Sequence, residues 1–309
     1  SLQYINLPSN AHIIIEEKAF LGFLSLVEIT IPESVKKIKK YAFSECSSLV
    51  KILIPSSVTS IGSGAFQNCK ALKEITIPEK VLSLKKEVFD QCTSLTKVTI
   101  KSEIKTIEEA AFKQCTSLRT INVPPTIENI GKEAFCQCTS LQSIELGTNM
   151  KSIQSYAFKE CTSLIEIKFP STLHQVGIGV LYNCTSLTKC ILPSSLDTIC
   201  EYMFYGCKSL KEIKLPSDLK QIFFGAFNGC SSLISIEIPS KVNFISPSSF
   251  AHCTSLKSCV IHSHIKNIYS AVFCGCTSLE EIKTASSNVE IIEGDIKLIS
   301  NKCKIIPLE

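Results

Sequence analysis

This chain has no tryptophan, two methionines and five histidines. Any aromatic anchor must therefore be Tyr or Phe. So few histidines, with no nucleophile arranged beside them, argue against Ser-His or Cys-His catalysis. No run of 18 apolar residues occurs, which excludes a membrane-spanning helix. The opening residues SLQYINLPSN lack the basic start and continuous apolar run of a secretory signal. No glycine-rich loop follows a strand and opens a helix, so nucleotide phosphates have no cradle. A strong charge of one sign is also missing: the net +4 is too small to point to nucleic acid or a membrane surface.

What is present is hydrophobic residues, 45% of the chain against 19% charged, the balance of a sequence that buries much of itself. Cysteine is abundant, with 17 in 309 residues, an odd number for a fully oxidised framework. Eleven of the cysteines run at a constant step of 23: Cys46, Cys69, Cys92, Cys115, Cys138, Cys161, Cys184, Cys207, Cys230, Cys253 and Cys276. Phe23 holds the same place one unit earlier. A strict period of this length marks a solenoid.

The rest of the unit is phased to that anchor. Leucine follows three residues on, as in Leu49 and Leu72, then an inward apolar residue (Ile52, Ile75, Val98), then a second (Ile54, Ile77, Ile100) and often a proline (Pro55, Pro78). A further apolar pair such as Val58 and Ile61 precedes Ala65-Phe66, which closes the unit. The consensus is A-F-x-x-C-T-S-L-x-x-I-x-I-P-x-x-V-x-x-I. L-x-x-I-x-I-P predicts a short strand that proline ends, because proline cannot donate to a ladder. The second apolar pair predicts another short extended segment on a different face. A-F-x-x-C is too short for a stable helix and predicts a turn or one 3-10 turn. Equivalent residues then stack about 4.8 Å apart, and about 13 strands span roughly 60 Å.

The array is expected over 1–284, with 285–309 as a C-terminal cap carrying hairpin-like alternation around Glu293-Gly294-Asp295. SLQYINLP already reads as the strand, followed by a unit one residue short. The chain is thus expected to start inside a repeat without a polar cap, with further sequence upstream.

These residues resemble the BspA-like leucine-rich repeat proteins, whose signature is the 23-residue unit with A-F-x-x-C-x-S-L-x-x-I-x-I-P. The resemblance covers about residues 1–284. It implies a mainly-β, right-handed curved solenoid with a parallel sheet on the concave face. It also implies a surface that binds proteins, not an enzyme, and it carries over no ligand motif.

Chemistry is weighed against that frame. The cysteine ladder reads as buried free thiols acting as small hydrophobes. Parallel Cβ vectors about 4.8 Å apart disfavour disulfides between neighbouring rungs. Of the six other cysteines, Cys190 and Cys259 replace inward isoleucines. Cys136 and Cys274 form C-x-C pairs with the ladder but lie six repeats apart, and Cys200 and Cys303 stand singly. HCTSLKSCVIHSH offers His252, Cys253, Cys259, His262 and His264, yet both cysteines are committed inward, so no zinc site is expected. The recurrent T-S-L serines are expected to bond local backbone. Asn183-Cys184-Thr185 fits the glycosylation sequon beside a buried cysteine. No cofactor or metal is expected.

Partner candidates lie where the repeat leaves positions free. Outward strand places alternate in charge through Glu28, Lys51, Glu74 and Lys97, and through Glu166, Lys189 and Glu212; Leu53, Ile191 and Val260 interrupt them. Eleven of 16 Phe are the repeat phenylalanine, Phe23 replaces the anchor, and Phe169 takes an inward place. Phe223, Phe224 and Phe244 cluster in sequence with Tyr182, Tyr202 and Tyr205. They either seal the core or form an exposed aromatic strip. Lys36, Lys37, Lys39, Lys40, Lys85 and Lys86 form a basic stripe partly offset by Glu87, Glu108 and Glu109, a candidate for an acidic glycan or protein.

The expected function is non-enzymatic protein binding by the recognition region of a cell-surface or extracellular adhesin. Its partner would be a host extracellular or cell-surface protein, with neither nucleic acid nor direct membrane contact. The alternatives are an intracellular, cytoplasmic scaffold or cytoskeleton-associated protein, and a soluble receptor-like sensor.

Overall fold

The computed structural model describes residues 2–9, 13–263, 265, 267–285, 290–292 and 303–308. The chain forms two compact units, Ser1–Cys161 and Thr162–Glu309. Each is a mainly-β parallel solenoid in which one 23-residue repeat makes one turn, with almost no helix.

In the first unit the L-x-x-I-x-I segments form the strands Tyr4–Asn6, Glu28–Thr30, Lys51–Leu53, Glu74–Ile77 and Lys97–Ile100, all parallel. Thr120–Asn122 pairs with Ser143–Glu145 in the same way. The period-2 alternation decides the faces: in Lys51–Leu53, Ile52 is buried and its neighbours are exposed. The first repeat is one residue long, not one short. Ile5 faces Ile29, a step of 24, whereas Ile15 faces Ile38 at the usual 23.

The second apolar pair forms two-residue strands on another side of the coil. Ser83–Leu84, Thr106–Ile107, Asn129–Ile130 and Ser152–Ile153 are one such ladder. In the second unit Thr198–Ile199, Gln221–Ile222 and Phe244–Ile245 are another.

A-F-x-x-C forms a tight turn rather than a helix; among the described residues only Ser270–Phe273 closes into a 3-10 turn. Two left-handed residues, four apart, recur in most turns. One series runs Tyr41, Gly64, Glu87, Ala110 and Glu133; the other runs Glu45, Asn68, Gln91, Gln114 and Gln137, with φ between 53° and 63° throughout. Non-glycine residues rarely hold this conformation. Stacking sustains it, because alternate turn N–H groups donate to the next repeat: Tyr41 to Ser63 O at 3.0 Å, Phe43 to Ala65 O at 2.8 Å and Glu45 to Gln67 O at 2.8 Å.

The interior is built from columns. Phe20, Phe43, Phe66, Phe89, Phe112, Phe135 and Phe158 stack with centroids 5.1–5.7 Å apart. Phe204, Phe227, Phe250 and Phe273 repeat this in the second unit.

In the second unit one segment with the strand consensus forms no strand among the described residues. Glu166–Lys168 pairs with Lys189–Ile191, and Ser235–Ile238, Ser258–Ile261, Glu281–Thr284 and Lys304–Pro307 form a parallel sheet. The intervening K-E-I-K-L-P, 211–216, should also be a strand but forms none. The hairpin expected at Glu293-Gly294-Asp295 lies outside the described residues. Around it the repeat continues, since Glu290–Ile292 pairs with Asn267–Tyr269 and Lys304–Pro307 joins the sheet.

Candidate interaction surface

All seventeen cysteines are free. The ladder thiols do more than fill space. Cys69 Sγ lies 3.2 Å from Phe43 O, Cys92 Sγ 3.1 Å from Phe66 O, and Cys138 Sγ 3.1 Å from Phe112 O. Each carbonyl belongs to the turn of the preceding repeat, so a weak S–H donor ties neighbouring coils in an otherwise apolar interior. Burial pushes the thiols of Cys46 and Cys136 up to about 11, and those of Cys69 and Cys115 well above the ordinary value. Buried thiols held neutral are poor nucleophiles.

Of the off-ladder cysteines, Cys190 and Cys259 sit in the core as expected. Cys136 is buried in its turn, while Cys200, Cys274 and Cys303 are half-buried. Cys200 Sγ reaches Val176 O at 3.0 Å. In the metal-like stretch, Cys253 and Cys259 point inward while His252 and His262 are exposed; His264 lies outside the described residues. The threonines beside the T-S-L serines reach across repeats: Thr116 donates to Thr93 O at 3.3 Å. Asn183, the sequon residue, is half-buried and packs over Gly206.

The candidate aromatics divide into two groups. Tyr182 and Tyr205 stack face to face at 4.6 Å because they hold the same turn position one repeat apart. Tyr202 meets both edge-on, at 6.4 and 5.9 Å, and Phe224 meets Tyr202 edge-on at 5.5 Å. Tyr202 occupies a left-handed turn position, and its ring lies over Gly225, where no side chain obstructs it. Phe223 and Phe244 form a separate edge-on pair at 6.3 Å, beside the two-residue strands. Phe224 and Phe244 are each 40% exposed, and the other four rings are half-buried. The rings therefore both cover the turns and present apolar surface. Phe169 is buried as expected, whereas Phe23 is 39% exposed.

On the strand faces, Leu53 and Ile191 are exposed and Val260 is half-buried. Glu28 faces Lys51, Lys51 faces Glu74 and Glu74 faces Lys97, as the sequence predicts. Among the described residues, however, only Lys189–Glu166 of the two alternating runs closes to an ion pair, at 2.8 Å.

In the basic stripe Lys39 pairs with Glu16 at 2.6 Å, Lys85 with Glu108 at 2.8 Å and Lys86 with Glu109 at 3.3 Å. Lys36, Lys37 and Lys40 have no carboxylate within 4.0 Å among the described residues. The free positive charge is thus confined to the earlier half of the stripe.

Short parallel strands, a thiol-and-phenylalanine interior and stacked left-handed turns in strict 23-residue register define a leucine-rich repeat solenoid. The BspA type leucine-rich repeat region matches in six copies, over 1–116, 83–210 and 175–300, and the chain belongs to that family. It is similar to a leucine-rich repeat protein from Bacteroides ovatus, with 30% identity and a TM-score of 0.80 over 99% of this chain and 75% of that one. The pneumococcal vaccine antigen PcpA shares the fold, at 20% identity and a TM-score of 0.65 over 99% of this chain and 89% of that one. No curated protein matches the sequence. No helix among the described residues is long and apolar enough to cross a membrane.

Proposed function

We propose that this chain is a non-enzymatic recognition module of a cell-surface adhesin, with residues 1–284 as the binding array and 285–309 as its cap. Leucine-rich repeat domains generally bind proteins. The observation that carries the reading is the cluster of Tyr182, Tyr202, Tyr205 and Phe224, three tyrosines in mutual contact with Phe224 joined through Tyr202, with partly open faces. Rings already fixed by one another lose little entropy on binding, and Tyr is enriched at interface hot spots. The partner is a host extracellular or cell-surface protein.

Two measurements test this. An antibody to the chain should label unpermeabilised cells. The purified chain should also bind intact cells at least about tenfold more tightly than a Tyr202→Ala, Phe224→Ala variant, a loss of about 1.4 kcal/mol or more. Absence of surface label defeats the adhesin reading. It would favour an intracellular scaffold, which the seventeen free thiols also suit, because the cytosol keeps thiols reduced.

A further inference from the structure

The side of the coil that bears the two-residue strands changes character between the units. Each repeat places three residues there: one before, one after and two after the inward residue of the strand. In the first unit these places are often charged, as at Lys39, Lys40, Lys85, Lys86 and Glu108. In the second unit, from Gln175 to Ser270, they hold Ile178, Cys200, Phe223, Phe224, Phe244 and Tyr269, and Glu201 is the single charged residue. Ile178, Phe224, Phe244 and Tyr269 are 39–41% exposed. Phe223 meets Phe244 edge-on, and Phe224 meets Tyr202, so the face continues into the tyrosine cluster.

The electrostatics of this face are simple. At its border Asp197 and Lys220 neutralise each other at 3.1 Å. Glu201 is exposed and has no ion partner among the described residues. By the repeat it stands between Ile178 and Phe224, so one open carboxylate sits within an apolar surface.

Two physical limits select the occupant. Four side chains about 40% open expose roughly 300 Å². A stable dimer needs about 800 Å² from each copy, so a second copy is not held by this face alone. Strand addition is excluded too, because Gln221–Ile222 is already paired on both sides. What fits is a segment that satisfies its own backbone and binds through side chains. An α-helix rises 5.4 Å per turn, close to the coil spacing of about 4.8 Å. Laid along the solenoid axis, it sets about one apolar residue on each coil. From Ile178 to Tyr269 the face crosses four coil steps, about 19 Å, the length of about 13 helical residues.

We propose that this face docks an amphipathic helix of the partner protein, with apolar residues along one stripe and a lysine or arginine opposite Glu201. This inference rests on the protein-binding reading and names the kind of segment that the aromatic surface receives.

The test uses a phage-displayed library of 15-residue peptides with apolar residues at i, i+3, i+4 and i+7 and all other positions free, selected on the immobilised chain. Enriched peptides should carry Lys or Arg, and should bind at least about tenfold more weakly to Phe244→Glu. Tyr269→Glu, at another exposed ring outside the tyrosine cluster, should weaken them similarly and serves if Phe244→Glu disturbs folding. Selection on Glu201→Lys should reverse the preference, enriching Asp or Glu instead. No enriched peptide, indifference to both ring variants, or an unchanged charge preference in Glu201→Lys overturns the proposal.

Other occupants give their own signatures. A dimer in sedimentation velocity that Phe244→Glu abolishes would assign the face to a second copy. Flotation with phosphatidylcholine vesicles that Phe244→Glu abolishes would assign it to lipid. Either result overturns the helix. Cell binding lost in the Tyr202→Ala, Phe224→Ala variant but kept in both Phe244→Glu and Tyr269→Glu also overturns it, and leaves the adhesin reading standing. Selected peptides that behave as expected, with no binding of the chain to cells, would support the docking face and defeat the adhesin.

Discussion

Cys138 Sγ and Cys115 N–H both donate to the carbonyl of Phe112, at 3.1 Å each. One bond closes the turn within a repeat and the other ties that turn to the next repeat. The same pair of bonds recurs at Phe43, where Cys46 N–H and Cys69 Sγ converge at 3.2 Å each. Cysteine at the anchor is thus the smallest apolar side chain that can still supply the second donor.

Replacing Cys138 with alanine should remove this link and leave a small void. Stability should fall by about 1–2 kcal/mol. Urea unfolding followed by circular dichroism would measure the change. A shift under about 0.5 kcal/mol would reduce the thiol to a passive filler.

The thiols also make stability depend on pH. Burial raises the folded-state pKa of the ladder thiols above their ordinary value of 9.0, with Cys46 at about 11. Between the unfolded and folded values, the unfolded chain has lost protons that the folded chain keeps. Stability is therefore full below about pH 9 and falls as pH rises, by about 1.4 kcal/mol per pH unit for each thiol that ionises only on unfolding. Thermal melts at pH 7, 9 and 10.5 with a phosphine reductant should show a steep loss above pH 9. A flat profile would contradict a buried, neutral ladder.

Thiol accounting gives an independent check. In the native protein at pH 7, a maleimide should react first with the half-buried Cys274 and Cys303, and more slowly with Cys200, whose thiol burial pushes up to about 11. In denaturant without reductant, nearly all seventeen should react. Extensive disulfide formation would overturn the free-thiol ladder.

The left-handed turn positions predict opposite signs for opposite substitutions. Glu45, exposed with φ 63°, gains by becoming glycine, so Glu45→Gly should stabilise by up to about 1 kcal/mol. Gly225, with φ 62°, carries the Tyr202 ring, and an added Cβ would lie 2.8 Å from it. Gly225→Ala should destabilise by more than about 1 kcal/mol. It should also alter tyrosine fluorescence, which no tryptophan masks in this chain.

The repeat was legible because a solenoid reuses one local solution. Cys, Leu, Ile and Phe at constant phase name the buried columns, and the structure buries Cys115, Leu118, Ile121 and Phe112 accordingly. The aromatic candidates were only partly legible. Spacing placed Tyr182 and Tyr205 in one column, but the edge-on reach of Tyr202 and Phe224, and the separation of Phe223 with Phe244, depend on side-chain direction. The lysine stripe was legible as position but not as charge, because Glu16 and Glu109 close on Lys39 and Lys86 only through stacking.

The sequence by itself determined the period, the columns that face inward and the parallel strand ladders. These follow from phase and side-chain type, which a one-dimensional array repeats at every turn. Tertiary structure alone decided the rest. Glutamate, glutamine and tyrosine hold left-handed turns because neighbouring coils bind the backbone there. A thiol becomes a hydrogen-bond donor because a carbonyl from the previous coil lies in reach. The segment Glu212–Leu215 keeps the strand consensus yet leaves its ladder, since pairing depends on both neighbours and not on the segment alone.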